Sequence, residues 1–486
     1  MRSLFLFASL TLLSACALRD DDGAIDVAII GENEELFSGG LRLSYGAQHV
    51  RAATSQGLVR LETGGEVVPA IAERWIVTDD GASYIFRIRE FDLPDGTRLT
   101  AQSVRDSLRR SISRLGGTSM GYDLAKIRDV RALTGRVIEI RLKSPMPGFL
   151  QLLAQPELSL QIDAVPTGPM SMAREDDVGL LNALPPEARG LPARPNWDED
   201  IQQVRVSAAD AQTASDGFND GRFDLVLGGR IENLPIAETG ALTRGTVRLD
   251  STIGSFGLDI LNTEGFLALP QNREALAMGI DREALIQPFN IAGWVSTTRL
   301  VSPGLPDESE LLGERWTNLT DEERIQTARA RVSQWQTAND EPVRLRLFLP
   351  EGAGSDILFE GLAGQLEQIG VQLVRSEDVE GADLALRDRV ARYGGARWFL
   401  NQFNCEVSRA ICSEDVDFLV QLAVDSSNPE EARSYLIEAE TALTVFNPYI
   451  PLGAPIRWSL VRGDIEDFVE NPWNVHPLFP LSRAPI

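Results

Sequence analysis

Residues 343–386 constrain the fold more than any other stretch of this chain. Val343, Leu345, Leu347 and Leu349 alternate with other residues, the period of a strand with one buried face. Leu358, Leu362, Leu366 and Ile369 then recur at helical spacing, and Gly370 stands where a helix end favours a left-handed residue. Residues 371–374 and 383–386 read as two further strands. Strand, helix and strand in that order make a crossover, whose two strands lie parallel in one sheet. The chain is therefore expected to be α/β, with mixed or parallel sheets flanked by helices.

Other segments fit that class. Tyr84, Phe86 and Ile88 alternate after the hairpin pair Asp80-Gly81. Thr100 is a helix cap ahead of Val104, Leu108, Ile112 and Leu115. Ile138, Ile140 and Leu142 form another strand. Residues 201–206 and 224–227 read as strands, with a short helix at 213–223. Residues 272–286 read as one helix, and Asn428-Pro429 opens another. Residues 165–199, rich in Pro, Gly and acid, read as loops. A chain of 486 residues suits two or three domains.

Composition narrows the function. The net charge of −25 argues against a nucleic-acid partner and against a broad footprint on anionic lipid. Only two histidines are present, His49 and His476, far apart in sequence, so no metal site or other cofactor is expected. There is no GxxxxGK[ST] loop and no GxSxG elbow, and 71 acidic residues single out no catalytic pair. Binding is expected rather than catalysis. Lysine is nearly absent: Lys126 and Lys143 stand against 46 basic residues in all.

Residues 1–15 combine Arg2 with a short apolar run from Leu4 to Leu13, too short to span a bilayer, and read as a secretory signal peptide. Leu13-Ser14-Ala15-Cys16 resembles a bacterial lipobox, which implies a diacylglycerol on the Cys16 thiol. Residues 16–23 would then form a polar tether. Cys405 and Cys412 are the other cysteines. In an exported chain a disulfide is the natural reading, with two reduced thiols as the alternative.

Residues 57–111 carry a longer pattern: Gly57-Leu58-Val59, Pro69-Ala70, Ala72-Glu73, Trp75, Asp80-Gly81, Tyr84, Phe86, Arg89, Asp95-Gly96, Leu99-Thr100-Ala101 and Val104. This resembles the family 5 extracellular solute-binding proteins, the dipeptide-, oligopeptide- and nickel-binding type. Residues 221–229 and 272–286 continue the resemblance. It implies a two-lobed periplasmic binding protein fold of the class II, or cluster C, type with an extra inserted domain. Residues 24–50, 155–250 and 451–486 would form lobe I, 51–154 the insert and 251–450 lobe II, with crossings near Leu249 and Asn447. The implied function is capture of a peptide or peptide-like solute between the lobes by a monomer. The implied partners are an ABC permease and its ATPase. The implied place is the periplasm, anchored to the cell membrane by lipid. Because Ala17 follows Cys16, an outer-membrane anchor stays open.

One family feature is missing. Peptide-binding members carry a Trp-x-x-Asp segment whose carboxylate pairs with the ligand's α-amino group, and residues 397–419 contain none. Asn404 or Glu406 falls near the expected position. Either Glu406 takes that role, or the ligand lacks a free amine or is something other than a peptide, or binding is weak or lost. The remaining ligand candidates are Ser251, Thr252, Ser255 and Phe256 on the second crossing strand, with Arg392, Trp398 and Arg409. An envelope chaperone or scaffold with this fold, and less readily a hydrolase, are the competing roles.

Overall fold

The strand pair at the heart of the sequence argument forms in register. Val343–Phe348 runs parallel to Val371–Arg375, with Val343 opposite Val371 and Leu347 opposite Arg375. The helix Ala353–Glu367 connects them and buries Leu358, Leu362 and Leu366. The structure, a computed structural model, describes residues 23–162, 165, 167–199, 201–237, 245–305 and 312–482. The signal peptide, Cys16 and most of the tether lie outside these residues.

Two mixed sheets organise the chain. The five-stranded sheet has the order Val371–Arg375, Val343–Phe348, Leu384–Val390, Gly254–Ile260, Tyr449–Gly453. The seven-stranded sheet has the order Val247–Ser251, Ile456–Val461, Leu225–Gly229, Ala24–Ile30, Gln203–Ala209, Val178–Ala183, Met170–Glu175. Among the described residues, no helix is long and apolar enough to cross a membrane.

The chain passes between these sheets at Thr252-Ile253 and again at Ala454-Pro455. Both crossings come later than Leu249 and Asn447, where the sequence placed them. The reason is strand pairing: Leu249 still faces Trp458 in the first sheet, and Ile450 still faces Leu258 in the second. Ser251 thus sits in the seven-stranded sheet and Pro451 to Gly453 in the five-stranded one. The Thr252 hydroxyl donates to the Pro455 carbonyl, tying one crossing to the other.

A separate four-stranded antiparallel sheet lies between residues 72 and 142, in the order Ala72–Thr78, Ser83–Ile88, Val137–Leu142, Ile127–Ala132. The helix Ala101–Arg114 covers it. Thr100 Oγ1 accepts from the Ser103 amide at 3.1 Å, satisfying one of the free N–H groups of the first turn. The core of this unit continues into residues 391–443, through Tyr393, Trp398, Phe403, Val416 and Leu443. Its polar edge is joined to the same region. Lys126 Nζ donates to the carbonyls of Ala423 and Val424 at 2.8 and 3.0 Å, and Lys143 Nζ lies 2.7 Å from Asp425. The two lysines therefore meet the C-terminal end of one helix, Glu414–Asp425, where the backbone dipole favours cations.

Three segments depart from the sequence reading. Residues 165–199 contain a hairpin, Met170–Glu175 with Val178–Ala183, turning at Asp176 with φ 51°. It is the edge of its sheet, and Ala173 to Glu175 are exposed, so its residues carry no clean alternation. Residues 272–286 form two helices, Pro270–Met278 and Arg282–Ile286, because Asp281 caps the second by accepting from the Ala284 amide at 3.0 Å. The 19-residue helix Asp321–Asn339 buries only Ala328 and Val332, and so has no apolar stripe to reveal it.

Candidate functional site: a cleft between the sheets

A cleft of about 1180 Å³ opens between the two sheets. One wall comes from the C-terminal end of Ala24–Ile30 and the helices that follow it, together with Gly228 to Asn233. Facing it are Asp388 to Arg392 at the C-terminal end of Leu384–Val390, with Trp398 and Gln402. Open α/β sheets place ligands beyond the carboxyl ends of their strands, because helix and loop starts gather there with free backbone donors. Residues Leu115 to Asp123 of the smaller unit close one side, and Arg457, Trp473 and Asn474 lie beside the crossings.

The cleft is charged, and most of its charges are matched. Arg457 pairs with Asp388, and both side chains are buried. Arg392 donates to Gln48 Oε1 at 2.6 Å, Gln155 Oε1 at 3.1 Å and Glu157 Oε1 at 2.9 Å. Glu157 is buried, and its second oxygen, Oε2, has no hydrogen-bond partner among the described residues. Burial, and then the neighbouring Asp388, push the Glu232 carboxyl above its usual range. Asp123 is pushed up to about 6 by burial, against the opposing pull of Arg397, Asn401 and Tyr393.

Beside the cleft, the start of the helix Ala353–Glu367 packs closely on the segment that follows Leu225–Gly229. Gly354, in the first turn of Ala353–Glu367, packs on the backbone of Ile231 so tightly that a Cβ there would lie 1.9 Å from the Ile231 carbonyl oxygen. Only glycine permits that approach.

Of the nine ligand candidates read from sequence, Arg392, Trp398 and Glu406 line the cleft. Arg392 is already committed to Glu157. Trp398 is buried, with its ring edge-on to Phe399. Glu406 accepts from the Tyr122 hydroxyl at 2.5 Å. The other six are placed elsewhere. Ser251 is a pairing residue of its strand, and Thr252 holds the crossing. Ser255 is buried with its hydroxyl unpartnered, and Phe256 is core, edge-on to Trp294. Ser255 and Phe256 face packed sheet interior, whereas Ser251 is exposed at its strand end. Asn404 Oδ1 accepts from the Glu406 amide at 3.1 Å and shapes its own turn. Arg409 is exposed and does not line the cleft. Cys405 and Cys412 are joined, with Cα atoms 5.2 Å apart, in the loop that carries Glu406.

The sequence reading missed Arg389, Asp388, Glu157, Gln402 and Arg457. One signal was available: charged residues at the end of a strand predicted to be buried, as in Arg387-Asp388-Arg389. Three residues after Trp398 stands Asn401, an amide where the peptide-binding pattern has a carboxylate. Its Nδ2 donates to Asp123 Oδ1 at 2.7 Å. The two histidines, far apart in sequence, are brought together by the fold. His49 Nε2 accepts from the His476 amide at 3.2 Å, and His476 Nε2 lies 2.9 Å from Asp250. Burial pushes His49 down to about 4, so it is neutral at pH 7. Among the described residues no group of three or more His, Cys, Asp or Glu is placed to hold a metal ion.

Comparison with known proteins identifies the architecture. Residues 66–179 match the profile of the bacterial extracellular solute-binding proteins, family 5 Middle. The fold superposes on Haemophilus influenzae OppA in complex with RPPGFSPFR, with a TM-score of 0.77 over 94% of this chain and 98% of that one, at 16% identity. The fold is that of the two-lobed periplasmic binding proteins. Among curated relatives, the probable deoxycholate-binding periplasmic protein of Escherichia coli K12 is 31% identical over 121 residues, 21% of this chain and 23% of the relative. The glutathione-binding protein of the same strain is 23% identical over 319 residues, 60% of this chain and 59% of the relative. These matches thus span about a quarter and somewhat over half of the relatives' lengths. This two-lobed architecture has its cleft where the two crossing segments join the sheets.

Proposed function

We propose that this chain is the solute-binding component of an ABC importer. It is held at the cell membrane by a lipid on Cys16, captures a peptide or peptide-like solute between the two sheets and presents it to a permease. The observation that carries this reading is the 1180 Å³ cleft, walled by both sheets and flanked by both crossings. Two crossing segments tied by Thr252 make a hinge, so the walls can separate and close on a solute without unfolding either sheet. The volume exceeds what a single small metabolite fills and suits a short peptide. The glutathione-binding relative and the OppA complex point to the same ligand class. The likeness to binding proteins supports a binding role rather than catalysis.

The Trp-x-x-Asp amine anchor is replaced by Asn401, and Glu406 is held by Tyr122, so the ligand's amine is not bound as in the peptide-binding pattern. A thermal-shift series with short peptides tests the reading, since a ligand at one hundred times its Kd stabilises by about 2.7 kcal/mol. No shift with any peptide at millimolar concentration overturns the peptide assignment. A mass for the membrane-extracted protein lacking the diacylglycerol increment at Cys16 overturns the anchor.

A further inference from the structure

The net charge of −25 is not spread evenly along the chain. Residues 101–143 hold ten basic and four acidic side chains, which leaves 36 basic and 67 acidic ones for all other residues. Two of those four acids, Asp123 and Glu139, are buried. The stretch comprises the helix Ala101–Arg114 and the strands Ile127–Ala132 and Val137–Leu142 of the smaller unit. A basic unit thus sits on an acidic body. Its charges gather where the helix meets the edge strand Ile127–Ala132. Asp129 is shared by two arginines, Arg109 Nη2 at 2.7 Å and Arg131 Nε at 2.5 Å, so the trio keeps a net positive charge. Both arginines are half exposed. Arg110, Arg114 and Arg128 are exposed as well. Arg110 and Arg114 lie four apart on the helix and so one above the other. Leu133, 41% exposed, stands at the turn directly after the edge strand.

We propose that this face rests on an anionic phospholipid surface, with its arginines on headgroup phosphates and Leu133 at the acyl boundary. Guanidinium forks match phosphate oxygens two at a time. Attraction to anionic headgroups joined to a buried apolar side chain is what holds a protein on a bilayer surface. The choice of a membrane over another polyanion rests on the lipid anchor proposed above, whereas no captured solute is needed. From Cys16 to Ala24 the chain reaches at most about 28 Å, so an anchored body stays beside the headgroups. Those headgroups repel a body with 67 acidic side chains, and the basic unit supplies an orientation in which attraction wins. The helix runs directly into residues 115–123, which close one side of the cleft. A surface that holds the helix therefore also sets which way the cleft faces.

The test uses residues 16–486 with C16S, which keeps every described residue and carries no lipid. Its sedimentation is followed with vesicles of phosphatidylcholine alone and with about one third phosphatidylglycerol. Anionic vesicles are expected to bind the chain at low salt and release it at high salt, and neutral vesicles to leave it in solution. A basic residue near an anionic surface strengthens binding roughly fivefold, so R109Q/R128Q/R131Q is expected to weaken it by about a hundredfold. The control R222Q/R329Q/R344Q removes three exposed arginines outside residues 101–143 and is expected to bind like the parent. R128Q alone, which touches no ion pair of the described residues, is expected to cost roughly fivefold and guards against a folding defect in the triple variant. Equal binding to both kinds of vesicle, no binding by the parent, or equal loss in the two triple variants overturns the proposal. Capture by soluble polyglutamate but not by anionic vesicles overturns it too and assigns the face to an acidic protein. Each of these outcomes leaves the solute reading standing, since that reading is tested with peptides. A missing diacylglycerol on Cys16 would overturn the anchor without changing the vesicle result.

Discussion

Arg457 Nη1 lies 2.8 Å from both carboxylate oxygens of Asp388, joining the strand Ile456–Val461 of one sheet to Leu384–Val390 of the other. Both side chains are buried, at 5% and 7% exposure. The pair therefore spans the two lobes next to the crossings. Removing one partner leaves the other charge buried alone. D388N and R457Q are each expected to lose about 3–5 kcal/mol in urea unfolding. A double replacement by leucine recovers part of that loss, because neither charge then remains. Loss of under 1 kcal/mol in the single variants would show that the pair is solvated.

The contact between Gly354 and Ile231 predicts opposite effects for two glycines of one helix. Gly364, in the interior of Ala353–Glu367, has open space at its Cβ position. G364A is expected to stabilise by about 0.5–1 kcal/mol through helix propensity alone. G354A has the same propensity gain but must push the Ile231 backbone away, separating the sheets. Small-angle scattering is expected to show a larger radius of gyration for G354A and none for G364A. Equal radii would mean that the contact yields without opening the cleft.

Asp123 sets a pH dependence. Its Oδ1 accepts from Tyr393 and Asn401 at 2.8 and 2.7 Å, and burial raises its pKa from 3.8 to about 6. The folded state thus holds this proton more firmly than the unfolded chain does. Its contribution is full below about pH 4 and is lost as pH rises through 6. D123N keeps an acceptor for both donors without the charge. It is expected to be more stable than the parent at pH 7, by up to about 3 kcal/mol, and equal to it at pH 4. A D123N protein less stable than the parent at pH 7 would contradict this.

The bond between Cys405 and Cys412 closes a short loop on the cleft wall. Reduction, or C412S, is expected to cost about 2–3 kcal/mol of unfolding free energy. The loop carries Glu406, so the Tyr122–Glu406 contact is expected to loosen as well, read as faster amide exchange over residues 406–412.

Parts of the fold were legible because their signals are local. The crossover at 343–375 shows in alternation and a helical stripe, and Thr100 and Asn428 announce helices through their own side-chain caps. The hairpin at 170–183 was not legible, because an edge strand with one exposed side has little apolar pattern to read. The site was the least legible part. Ser255 and Phe256 lie on the expected strand but face packed interior, while Arg389, on its neighbour, faces the cleft. Strand alternation gives two faces and does not say which one meets solvent.

The sequence by itself determined the α/β class and the resemblance to a solute-binding family, since each is written in neighbouring residues or in a short ordered pattern. Tertiary structure alone decided which charges are matched. Arg457 finds Asp388, Arg392 finds Glu157 and Arg387 finds Asp259 across separations of 69, 235 and 128 residues. Such pairings depend on how strands and sheets are set against each other, and no local propensity encodes that.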